Sequence, residues 1–141
     1  MTEPMPVLIV VSDPHLSLNP PVSRSTEDNW LEAQDRCWRQ VRKLQRDHSQ
    51  SGAEPIPVVI PGDLFDRWHQ PPELISFAIS VLPDRTYAVP GNHDLPYHSL
   101  TELKRSAYFT LMKAGKITDL PPGRPVEVAD GLPVPLRFRG F

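Results

Sequence analysis

Three short stretches concentrate side chains able to bind a cation or move a proton. They are Ser12-Asp13-Pro14-His15, Gly62-Asp63-Leu64-Phe65-Asp66-Arg67 and Gly91-Asn92-His93-Asp94. Asp and Asn offer oxygen donors and His offers nitrogen, a mixture suited to Mn, Fe or Zn. Asp13 and His15 are two apart, so one short turn could aim both at a single ion. Gly62 and Gly91 permit the tight backbone that inward-facing ligands require. Each stretch alone is weak evidence, because Gly-Asp and Asp-x-His occur in ordinary turns. Their joint occurrence is informative because each follows an apolar, strand-like run: residues 7–11, 58–60 and 86–89. Parallel strands in one sheet direct their carboxyl ends to the same side, and ligands bind there. The three loops should therefore converge.

The intervening segments supply the elements that hold these loops. Residues 7–11 are continuously apolar and β-branched, which predicts a strand buried on both faces. Residues 13–25 read as a loop. A helix is expected over 26–51, with a capping-box spacing at Ser25 and Asp28 and a stop at Gly52. Its apolar face would carry Trp30, Ala33, Cys37, Val41 and Leu44. Acidic residues lead this helix and basic ones trail, which suits its dipole. Pro71-Pro72-Glu73 opens a second helix ending near Leu82. A third helix should open at Ser99, carry Leu100, Leu103, Ala107 and Leu111, and close at Gly115. The order β-α-β-α-β-α predicts an α/β fold with a largely parallel, helix-covered sheet. Beyond Pro121, residues 126–129 and 132–138 flank Asp130-Gly131 and read as a hairpin. Pro133 and Pro135 weaken its second strand.

Composition sets the outer limits. Hydrophobic residues make up 39% and charged residues 23%, a globular balance, and 18 prolines stiffen the connections. The net charge of -2 gives no bulk signal of nucleic-acid binding. With one cysteine, Cys37, no internal disulfide forms, and its helical position reads as a buried small hydrophobe. Residues 7–11 are too short for the apolar part of a secretory leader, and no run approaches a membrane span. A cytoplasmic location with no membrane partner is the expectation.

The three motifs, spanning residues 7 to about 95, resemble those of the calcineurin-like metallophosphoesterases. Within that superfamily, Gly62-Asp63-Leu64-Phe65-Asp66 and the long first helix look most like the Mre11/SbcD nucleases, phage-encoded relatives above all. The resemblance implies an α/β/β/α architecture, a β-sandwich core flanked by helices. It also implies two divalent ions, with Mn2+ favoured over Fe or Zn. Asp13 and His15 would bind the first ion, Asp63 would bridge both, and Asn92 would bind the second. His93 would act on the substrate phosphate as general acid or charge stabiliser, and Asp94 would orient it. Asp66 and Arg67 would support the ligands. The implied reaction is hydrolysis of a phosphoester by a bridged hydroxide attacking phosphorus in line.

One part of the family pattern is absent. The family adds an isolated His and then a Gly-His-x-His motif downstream. The five histidines here are His15, His48, His69, His93 and His98, and none lies in residues 99–141. The expectation is that residues 1–141 form the N-terminal part of a single metallophosphoesterase domain, truncated after the first half of the sandwich. Ligands donated by a partner chain, or a degenerate binding relative, are the alternatives.

Other residues carry alternative readings. His69 and His98 follow motif loops; they are exposed loop residues, contacts to a substrate phosphate, or substitute metal ligands. His48 faces solvent. Arg36, Arg39, Arg42, Lys43 and Arg46 form either a solvated face or a DNA-backbone stripe. Trp68 and Tyr97 either stack on bases or cap the core. The leading functional expectation is a metal-dependent DNA phosphodiesterase or exonuclease. The alternatives are a phosphatase acting on small molecules or phosphoproteins, and a non-catalytic scaffold. An SbcC/Rad50-like ATPase partner is implied by the nuclease branch alone, and a homodimer is open.

Overall fold

A computed structural model describes residues 3–141. Four parallel strands form the central sheet in the order β1-β2-β3-β4: Ile9–Val10, Val58–Ile60, Thr86–Ala88 and Ile117–Asp119. Helices α1 (Trp30–His48), α2 (Pro72–Val81) and α3 (Ala107–Lys113) make the three crossovers. Right-handed crossovers between successive neighbours place all three helices on one face. Consistent with this, α1 packs on α2 and α2 on α3. Val58, Ile60, Thr86 and Ala88 point into this helical layer and are buried, while Val59 and Tyr87 on the opposite face are half-buried. Leu16, Trp38, Phe65, Leu74, Tyr108 and Leu111 complete the core. The antiparallel pair β5 (Val126–Val128) and β6 (Leu136–Phe138) brings Phe138 against Tyr87, ring centroids 5.4 Å apart. No described helix is long and apolar enough to cross a membrane.

Several expectations need correction. Strand β1 is an edge strand, and its Val10 is 58% exposed, so the run at 7–11 is not buried on both faces. Strand β4 was not anticipated. Helix α1 starts four residues late because Asn29, not Ser25, caps it by accepting from Glu32 N at 3.0 Å. It ends at Ser49, whose hydroxyl accepts from Ile56 N and so draws the chain toward β2. The third helix begins at Ala107, where Ser106 accepts from Phe109 N; residues Leu100–Arg105 form a 3-10 turn instead.

The apolar face expected of α1 is rotated. Cys37 is exposed and Leu44 is 48% exposed, while Gln34, Trp38 and Gln45 are buried. The two glutamines are inside because they satisfy backbone groups that water cannot reach. Gln34 accepts from Ser17 N at 3.1 Å and donates to Ser17 O at 2.9 Å. Gln45 donates to Ile56 O at 2.9 Å and Asp84 O at 2.7 Å. Gln45→Ala strands two carbonyls and is expected to lower stability by about 1–3 kcal/mol in urea unfolding. A change within 0.5 kcal/mol, typical of surface sites, would show that this clamp contributes little.

The basic residues of α1 are mostly paired. Arg36 meets Glu27, Arg39 meets Glu32 and Asp35, Arg42 meets Asp35, and Lys43 meets Asp47. Arg24 and Arg36 in turn hold the Glu27 carboxyl below its usual range. This is the solvated, ion-paired face; the pairing leaves little charge for a phosphate stripe.

Candidate metal centre

The first two motif loops run side by side beyond the ends of β1 and β2. His15 N donates to Asp63 O at 3.0 Å, Leu16 N to Leu64 O at 2.8 Å, and Asp66 N to Leu16 O at 3.1 Å. Parallel pairing thus continues past the strands, with Leu16 and Phe65 as an isolated bridge buried in the core. The apolar residues inside the motifs are anchors, and the polar ones between them are turned outward.

The third loop is fastened to the second by Asp94, whose side chain is fully buried. One carboxylate oxygen accepts from Phe65 N at 2.9 Å. The other accepts from Leu64 N at 3.0 Å and Gly91 N at 2.9 Å. Burial pushes the Asp94 carboxyl above its usual range, against the pull of these three N–H groups. A glycine is required at 91 because a Cβ there would strike the Asp63 carboxylate and backbone nitrogen. Gly91→Ala is therefore expected to displace Asp63 and lower metal affinity and turnover at least tenfold, read by calorimetry and by rate. Unchanged values would mean that the loops can part without harm to the site.

Between the fastened loops, His15, Asp63 and His93 present donor atoms that all lie within 4.8 Å of one another. Asp63 is the middle member. Its Oδ2 lies 3.9 Å from His15 Nε2, and its Oδ1 accepts from His93 N at 3.0 Å. The two imidazoles meet edge-on with centroids 4.9 Å apart. Asp13, His15 and Asp63 all have φ near +46° to +49°, a left-handed conformation uncommon outside glycine. Such strain costs about 1–3 kcal/mol per residue and clusters at functional sites. One carboxylate and two imidazoles at this spacing fit a divalent cation of borderline softness.

The remaining candidates are placed less directly. Asp13 stands outside the cluster, its Oδ2 accepting from Ser12 Oγ at 2.6 Å. Asn92 is exposed at the start of the 3-10 turn Asn92–Asp94. His93, expected beside the phosphate, is one of the clustered donors. Its Nδ1 lies 2.7 Å from the backbone oxygen of Asp66. In this structure the ring contacts that carbonyl, while the Asp94 carboxylate accepts from three backbone N–H groups. The Asp66 side chain accepts from Gln70 and faces Arg67 Nε at 3.6 Å. Arg67, His69 and His98 are exposed.

Residues 6–138 match calcineurin-like phosphoesterases in a comparison with protein families. The chain belongs to this family. A search of curated proteins found no match. As a calcineurin-like phosphoesterase the protein is a metal-dependent phosphoester hydrolase, and among the described residues His15, Asp63 and His93 have donor atoms close enough together to hold a metal ion. The phosphoesterase also has aromatic groups beside this centre. Trp68 is half-buried with the Arg105 guanidinium 5.6 Å from its ring centroid, and Tyr97 is 74% exposed, so Tyr97 does not cap the core. Tyr97 and His98 are consecutive left-handed residues, φ 53° and 54°. Sequence reading missed that Trp30 lines the cavity that His15 also lines, since its helical spacing suggested burial.

Proposed function

We infer that the protein is a phosphodiesterase acting on DNA, with manganese as the working metal and residues 1–141 providing the N-terminal part of a two-metal site. The observation that carries this reading is the cluster of His15, Asp63 and His93 at the carboxyl edge of a parallel sheet. The family's further histidine ligands have no counterpart in residues 99–141. A SbcC/Rad50-like ATPase partner belongs to the same reading and rests on the motif resemblance.

Each residue has a distinct task. His15 and Asp63 would hold the first ion, and Asp63 and Asn92 would hold the second. The ions, when bound, supply positive charge to the phosphoryl oxygens and a hydroxide at neutral pH. A carbonyl oxygen can only accept, so the Nδ1 of His93 carries the hydrogen of its contact with Asp66 O. The Nε2 atom is left to act, as a ligand or base in the neutral ring and as a proton donor in the imidazolium. Proton delivery to the leaving oxygen is the role assigned to it.

Hydrolysis of bis(p-nitrophenyl) phosphate, p-nitrophenyl phosphate and DNA by the full natural chain with Mn2+ tests this reading. DNA and the diester should turn over faster than the monoester. His93→Ala should slow DNA hydrolysis by about 10²–10⁴-fold and the activated diester far less, because p-nitrophenolate leaves without a proton. A faster monoester would instead assign a phosphatase, and no turnover of any ester would assign a scaffold.

A further inference from the structure

A groove of about 980 Å³ opens directly beside the metal centre, and His15 and Asp66 line it. Its walls come from residues 14–21 with Trp30, and from residues 66–71. The volume is at the upper end of small-molecule sites, ~300–1,000 Å³, and suits a nucleotide-sized group. Two indoles dominate it. Trp30 is held in orientation by donating its Nε1–H to Ser17 Oγ at 3.0 Å, with Arg24 lying 5.6 Å from its ring centroid. Trp68 is backed by Arg105, 5.6 Å from its centroid. Arg67 has a side chain that is 72% exposed, and its nearest acidic partner is Asp66 at 3.6 Å.

We propose that this groove binds the unpaired nucleoside attached to the scissile phosphate, with Trp30 and Trp68 as stacking faces and Arg67 meeting a flanking phosphate. The proposal rests on the phosphodiesterase reading above and extends it to substrate recognition. Because His15 lines both the groove and the cluster, an occupant joined to the reacting phosphate can reach the groove. Flat aromatic faces backed by guanidinium groups favour a base, which stacks at any sequence. A base inside a duplex is already stacked on its neighbours, so only an unpaired or splayed nucleotide offers its faces. A peptide fits poorly: Pro14, Pro20, Pro21 and Pro71 line the groove and have no N–H to donate to an extended backbone. Asn19 and His69 supply polar groups at the edge of the groove.

Calorimetric binding to the full natural chain with Mn2+ tests the assignment, using inorganic phosphate, thymidine 5′-monophosphate and a phosphoserine peptide as probes. The nucleotide should bind roughly tenfold more tightly than phosphate, within the range of one stacked base. Trp68→Leu should remove that advantage, Trp68→Phe should retain most of it, and both should bind inorganic phosphate as the wild type does. Trp30→Leu and Trp30→Phe provide the same contrast if Trp68→Leu does not fold. Equal affinity for nucleotide and phosphate would overturn the groove assignment and leave the phosphoesterase reading standing. Tighter binding of the phosphopeptide would also overturn it. Absence of binding by phosphate and nucleotide alike would overturn both.

Discussion

Asp63→Asn should lower metal-dependent turnover on the order of a thousandfold, equivalent to about 4 kcal/mol, while leaving the protein folded. The amide keeps an acceptor for His93 N, the bond that Asp63 Oδ1 now makes at 3.0 Å. It removes the anionic oxygen that faces His15 at 3.9 Å. No other carboxylate among the described residues belongs to the cluster, so the cluster would lose its one carboxylate and retain two imidazoles. Divalent affinity should fall at least as far as for loss of a supporting group, about 10–100-fold. Rates at saturating Mn2+ together with calorimetry separate the two effects. Residual turnover above a tenth of wild type would remove Asp63 from the centre of the account.

Asp94→Ala should destabilise the fold by about 3 kcal/mol or more. It leaves Leu64 N, Phe65 N and Gly91 N without an acceptor, and each buried orphan costs roughly 1–3 kcal/mol. The same bonds fasten the second motif loop to the third, so Asp63 and His93 should lose their relative placement. Activity should therefore fall even under conditions where the variant remains folded. Urea unfolding checks the first effect, and turnover at low temperature checks the second. A loss under 1 kcal/mol would mean that the loops hold together through their apolar anchors, Leu64, Phe65 and Leu95, alone.

Much of this arrangement was legible in the residues. Ligand-type side chains just after β-branched runs located the loops, because strand ends in a parallel sheet share one side. Glycine at 62 marked a backbone only glycine adopts easily, at φ 128°. The parts that were not legible have specific physical causes. Ile117-Thr118-Asp119 is too short and too polar to announce β4, which forms because the β3 edge offers it backbone partners. The rotation of α1 follows from Gln34 and Gln45, whose burial depends on carbonyls and amides far away in sequence. The partner of His93 is a main-chain oxygen, which leaves no side-chain signature. Asp94 was recognised as part of the site, yet its role as a fastener depends on the N–H groups of Leu64 and Phe65 pointing inward.

Histidine imidazole resonances followed by NMR during addition of Mn2+ report on the cluster itself. Paramagnetic broadening should reach His15 and His93 first. His48 should stay sharp, because α1 leaves the carboxyl edge of β1 and delivers the chain to the start of β2, away from the loops. Asp63→Asn should shift the broadening of both residues to higher Mn2+. Uniform broadening of all five histidines, or sharp His15 and His93 signals at Mn2+ concentrations that support turnover, would contradict a metal centre built on these residues.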